Sequence, residues 1–264
     1  MFEAGLDQSA GLRRQMPKPV LRMVPVIRHS TGPSELRMLW QLCQAYVEQG
    51  LSVAVLDTDS PETEETPGLE QILSDQCTPA EVADLDLPWT IVPAALGWRA
   101  LTCSGQLDAH AREALGEHFG PFGMLLIYGS AVRLGPSLAN TGVRPLVPVA
   151  PEPRHMLSAY QAMKVLMEQA LLMPSVAVMV TEPTQSGVMR ALQTRKTLQN
   201  CFTRHMGCYL DSMTVKSFVD DEVAGRDIQM LALRLMENAI PLGAAPASLL
   251  HRPADEEVHL VRSH

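Results

Sequence analysis

The chain has 264 residues, of which 46% are hydrophobic, 19% charged and 5% aromatic. That composition supports a substantial core and excludes bulk disorder, a collagen-like repeat and a coiled coil. A formal net charge of -8 with an isoelectric point near 5.5 argues against a protein whose main partner is nucleic acid. No run approaches the roughly 18 consecutive apolar residues of a membrane span. Glu3 and Asp7 stand where a secretion signal would be basic and then apolar. Five scattered cysteines, Cys43, Cys77, Cys103, Cys201 and Cys208, fit reduced thiols better than a disulfide frame, so a cytoplasmic location is expected.

Three units are expected in chain order: residues 1–19 as a separate N-terminal segment, 20–240 as one α/β domain and 241–264 as a loose tail. Asp7 can N-cap a short helix that Pro17 and Pro19 stop, and Gly11 makes that helix marginal alone. Residues 20–27 form an apolar run interrupted by Arg22 and Pro25, followed by the polar loop 28–34. From Leu36 the period is helical, with Leu36, Leu39, Trp40, Cys43 and Val47 on one expected buried stripe and Gly50 ending the helix. Residues 52–56 read as a short strand covered on both faces, completing a βαβ unit.

After an acidic loop at 59–67, short helices are expected at 69–73 and 79–83 and a strand at 90–93. A helix follows at 109–118, then strands at 124–128 and 144–150, the second weakened by Pro145 and Pro148. A strong helix is predicted at 158–172, a strand at 176–180 and a basic helix at 188–203. Residues 227–240 read as an apolar helix with Ile228, Leu231, Leu235 and Ala239 on its core stripe, ended by Pro241. This alternation predicts an α/β fold: a doubly wound, mostly parallel sheet with helices on both faces.

In such a sheet the working loops lie beyond the carboxyl ends of the strands. A phosphate-binding loop there needs glycines that turn backbone N–H groups inward and a lysine that neutralises phosphate. The loop at 28–34 keeps only Gly32, beside Pro33, which has no N–H. Counting back from Asp57 along an ungapped helix places Glu35 where that lysine would stand. A carboxylate at that point would repel a triphosphate by about 4 kcal/mol per charge pair at an effective dielectric near 20. Asp57 and Asp59 follow the next strand as a pair that can hold magnesium or simply cap the strand end. Tyr128 stands at the end of a third strand, where a magnesium-holding aspartate would be expected. Cys201, His205 and Cys208 lack a fourth donor for zinc. Arg190, Arg195, Lys196 and Arg204 read as a solvated helix face.

Several segments together resemble the FlhG (FleN) group of MinD/ParA-type regulators of bacterial flagellar number and placement. The run Asp7-Gln8-Ser9-Ala10-Gly11-Leu12-Arg13 is similar to that family's DQAxxLR activator motif, with serine for alanine. Residues 149–153 with Ala159-Tyr160 resemble its TPEP…DAYA stretch, residues 56–59 its LDAD, and residues 93–97 its PASSG. The likeness runs from about residue 7 to residue 235. It implies a degenerate MinD/ParA-like P-loop fold and a partner-binding role for Asp7, Gln8, Leu12 and Arg13 toward an FlhF-like GTPase. Flagellar switch proteins or a flagellar transcription activator are further partners it implies.

The same likeness defines what has changed. Where the family loop reads roughly GKGGVGKT, Ser30 and Glu35 replace its two lysines and Leu36 replaces the magnesium-binding threonine. With Tyr128 in the aspartate position, only Asp57 and Asp59 survive, so ATP and magnesium binding and hydrolysis are expected to be lost. The acidic, proline-broken end lacks the basic amphipathic helix that binds membrane in that family, which argues against stable membrane attachment. Two other readings compete. One is an active ParA/MinD-type ATPase with a divergent loop, and the other is a MinD-like accessory protein of another envelope system such as cellulose secretion.

Overall fold

A computed structural model describes residues 20–84, 86–218 and 222–243. Seven parallel strands, β1 (Arg22–Arg28), β2 (Val53–Asp57), β3 (Thr90–Pro93), β4 (Met124–Ser130), β5 (Leu146–Val149), β6 (Ser175–Val180) and β7 (Asp211–Lys216), lie in the order β3-β2-β4-β1-β5-β6-β7. A two-residue strand, β8 (Ile240–Pro241), pairs antiparallel with the start of β1. The expected doubly wound α/β sheet is therefore present, and its strand interiors are continuously apolar because both faces are covered.

One face carries α1 (Pro33–Glu48) and α9 (Glu222–Glu237), which share a core with Val24, Val26, Val53 and Leu126. On the other face lie α2 (Leu69–Leu73), α4 (Ala95–Leu101), α5 (Ala109–His118), α6 (Ala131–Leu138), α7 (Pro153–Ala170) and α8 (Gln185–Met206). A single turn, α3 (Pro79–Val82), precedes β3. Tyr46 on α1 buries its ring and donates its hydroxyl to the Ala232 carbonyl at 3.2 Å, fastening α1 to α9.

Several expectations need correction. The buried face of α1 runs through Glu35, Met38, Leu39, Leu42, Cys43 and Tyr46, whereas Leu36 is exposed and Val47 only half-buried. The helix begins at Pro33, three residues before the expected start, and this brings Glu35 onto its inner side. Pro153 likewise opens α7 at its first position, five residues before the start expected for the helix at 158–172. Residues 227–240 split into the end of α9 and β8, because Ile240 pairs with Met23. Helices α4 and α6 and strand β7 were not expected; β7 has only one fully buried residue, Val215, so its pattern carries little apolar signal. The core stripe of Ile228, Leu231 and Leu235 is buried as expected. No helix among the described residues is long and apolar enough to cross a membrane.

Two prolines meet inside the sheet. The Arg22 amide donates toward β4, to the Gly123 carbonyl, so alternate residues of β1, including Pro25, face β5. The Ser175 amide donates to the Pro145 carbonyl, so the odd positions of β5 face β6 and Pro148 faces β1. Both prolines thus remove an N–H from the same boundary, and the β1–β5 pairing shrinks to one residue pair, Val26 with Leu146.

Candidate functional site

The carboxyl ends of β1, β2 and β4 converge on the loop 29–32 that precedes α1. His29 closes the proline-weakened boundary: its Nε2 lies 2.6 Å from the Pro148 carbonyl oxygen, while its own backbone amide turns away from the ladder to Glu35. The ring's Nε2 faces the carbonyl and so carries a hydrogen, while Nδ1 lies 2.9 Å from the Ser158 hydroxyl and 3.2 Å from Glu35 Oε1, a buried oxygen with no hydrogen-bond partner among the described residues. The other Glu35 oxygen accepts the His29 backbone N–H at 3.1 Å. Glu35 is only 1% exposed, and a carboxylate at that depth persists only with such partners. The structure therefore ties Glu35 to its own loop, through the backbone amide of His29.

Ser30 and Gly32 are joined inside the loop, the Gly32 N–H donating to Ser30 Oγ at 3.2 Å. A Cβ at Gly32 would lie 2.9 Å from Cε1 of His155, so the imidazole of α7 fills the space against the one glycine of the loop. Leu36 is 42% exposed and brings no oxygen to the site.

Asp57 and Asp59 have separate surroundings. Asp57 spends both oxygens on its own turn, accepting the Asp59 N–H at 3.1 Å and the Ser60 hydroxyl at 2.7 Å. Asp59 is gripped by two guanidinium groups, with Arg28 Nη2 at 2.8 Å and Arg133 Nε at 3.2 Å. Arg133 also donates to the Thr58 carbonyl, joining α6 to the β2 loop.

Tyr128 is nearly buried, and that burial pushes its phenol above the usual range, with the Glu35 carboxylate acting in the same direction and Arg28 opposing both. Its backbone carbonyl accepts the amide and the hydroxyl of the fully buried Thr58, at 2.9 and 3.0 Å. Gly129 is required beside it, because a Cβ there would meet Thr58 Oγ1 at 2.0 Å. A further buried carboxylate, Glu62, accepts the N–H groups of Leu96 and Gly97 at 2.7 and 2.8 Å and occupies the N-terminus of α4.

The structure thus brings together Ser30, Gly32, Glu35, Asp57, Asp59 and Tyr128 at one end of the sheet, with Leu36 at their rim. It adds Arg28, His29, Arg133, His155 and Ser158, which motif reading had not singled out. The proximity of His29 and Arg28 to Ser30 in the chain was the available signal; Arg133 and Ser158 come from distant segments and had none. A triphosphate with magnesium needs free amides, a cation beneath them and a free carboxylate. Here the loop presents the buried Glu35 carboxylate, the first helical residue is proline and both aspartates are engaged, so the residues do not fit that group. Among the described residues no group of three or more His, Cys, Asp or Glu side chains is arranged to hold a metal. Asp7, Gln8, Leu12 and Arg13 lie outside the described residues.

No family model matches the chain, and no curated protein matches it. Solved structures do share its fold. MinD from Aquifex aeolicus is 12% identical with a TM-score of 0.50, covering 83% of this chain and 99% of that one. Cobyrinic acid a,c-diamide synthase from Mycobacterium smegmatis, solved with a bound ATP analog and magnesium, is 14% identical with a TM-score of 0.54, covering 86% and 100%. The pNOB8 ParA structure is 12% identical with a TM-score of 0.50, covering 83% and 99%. At these identities the likeness is one of fold: this chain has the α/β architecture of MinD and ParA.

Proposed function

We propose that this protein is a non-hydrolysing, FlhG-like regulator of flagellar assembly that works in the cytoplasm through its N-terminal segment. Asp7, Gln8, Leu12 and Arg13 dock on the FlhF-like GTPase and stimulate its GTP hydrolysis. On a helix Gln8 and Leu12 share a face at i and i+4, so Leu12 fills an apolar pocket while Gln8 reaches polar groups of the partner's site.

The observation that supports loss of ATP turnover is the buried Glu35 carboxylate bonded to the His29 amide. An amide already held by a carboxylate is not offered to a phosphate, and the negative charge opposes one. The fold then serves as a scaffold whose charged loops are internally paired.

Two measurements test this reading. The full chain is expected to accelerate GTP turnover by purified FlhF, and Gln8→Ala to remove most of that acceleration; equal stimulation by the variant refutes the motif's role. Calorimetric titration with Mg-ATP is expected to give no binding heat, and tight uptake of ATP refutes the non-hydrolysing reading.

A further inference from the structure

Strand β7 is one of the two edge strands of the sheet, with β3 at the other end, and no strand covers its outer boundary. The Ser217 amide donates to the Val180 carbonyl, so residues 211, 213, 215 and 217 turn their backbone groups toward β6. Ser212, Thr214 and Lys216 therefore turn theirs outward. The Lys216 N–H is capped at 3.1 Å by the Asp227 carboxylate, which ends the open stretch. Ser212 and Thr214 keep N–H and C=O groups for which the described residues supply no partner.

A groove of about 360 Å³ runs beside this open stretch, lined by Leu192, Arg195, Lys196 and Gln199 of α8 with Tyr209 and Ser212. The four α8 residues follow helical spacing, so they overhang the strand edge in one row. Tyr209 is 72% exposed at its end. Two buried oxygens here, Gln199 Oε1 and Thr214 Oγ1, have no hydrogen-bond partner among the described residues. The nearby acids are engaged: Asp211 by Arg144 and Arg234, Asp227 by the Lys216 amide. Arg195 and Lys196 make no ion pair with any described residue, and they form a cationic flank on a chain whose net charge is -8.

We propose that this edge is a docking site for an extended, acidic peptide of a partner protein, which adds to the sheet as a further strand beside β7. Ser212 and Thr214 supply its backbone pairing. Arg195 and Lys196 supply the preference for acidic side chains, and Leu192 with Tyr209 receives its apolar ones.

The probe is a labelled peptide alternating Glu and Val over about seven residues, the length of an ordinary strand. Titrated into the full chain, it is expected to bind and to slow amide exchange at Ser212 and Thr214. A version N-methylated at alternate amides, which cannot pair along an edge, is expected to lose binding. The double variant Arg195→Glu, Lys196→Glu changes two side chains outside the core and is expected to weaken binding at least about tenfold, the scale of losing close charge complementarity. No binding, equal binding of the methylated peptide, or equal binding by the double variant overturns the proposal. Slow exchange at both amides before any peptide is added also overturns it, because the chain's own residues would then occupy the edge.

Discussion

The β1–β5 boundary and the outer edge of β7 are two incomplete ladders in one sheet, and they are completed differently. At the first, Pro25 and Pro148 remove backbone donors from the sheet's interior, and the His29 ring supplies a side-chain donor to the Pro148 carbonyl while the His29 amide donates to Glu35. At the second, Ser212 and Thr214 keep their donors and the described residues offer no acceptor. The same contrast extends to the charges: Glu35, Asp57 and Asp59 are spent within the protein, while Arg195 and Lys196 have no ion partner among the described residues. A region whose carboxylates each meet an amide, a hydroxyl or a guanidinium of the same protein is built to hold a shape. One that leaves its polar groups facing outward is available to another molecule.

Substitution at the first boundary should show the largest effect. Glu35→Ala leaves the His29 amide without its acceptor, and unfolding in denaturant should report a loss of about 3 kcal/mol, the upper end for a buried donor stripped of its partner. A loss below about 1 kcal/mol would mean that the loop is not held by this carboxylate.

Alkaline pH tests the helix that carries it. Burial pushes the Cys43 thiol up to about 12 from 9.0, and Tyr46 on the same helix face is also raised by burial. A folded-state value above the unfolded one keeps its stabilisation below pH 9 and loses it as pH rises toward 12, by about 1.4 kcal/mol per unit for one group. Denaturation followed between pH 9 and 11 should show that decline, shallower in Cys43→Ala.

Thr58→Val removes the hydroxyl bond to the Tyr128 carbonyl but keeps the shape, and should cost about 1 kcal/mol in the same assay. Smallest is Asp59→Asn. Its arginine partners are more than a third exposed and screened by water, so a change of under about 1 kcal/mol is expected, diminishing further with added salt. A larger effect there would place the stability of this end of the sheet in the arginine clamp and not in Glu35.

Much of the architecture was legible from periodicity, because a strand covered on both faces and a helix covered on one write their burial into consecutive residues. Helix 109–118 and the strands near 53 and 124 fall where the pattern places them. The stripe of α1 was misjudged because Leu36 fits the apolar period while the charged Glu35 does not, yet Glu35 is the buried one. Strand β7 has a different reason: Met213 and Val215 alternate with Ser212, Thr214 and Lys216, but two apolar residues are too short a pattern to mark a strand.

What the chain by itself determined was the strand–helix alternation of the sheet, short of α4, α6 and β7, and the residue types in the loop after β1: a lone glycine, a proline and an acid. Only the folded arrangement decided what those residues do, since local preferences act between neighbours in sequence and hydrogen bonds act between neighbours in space. His29 finds Pro148 and Ser158 more than a hundred residues away, and Asp59 finds Arg133 on a helix that the sequence did not announce.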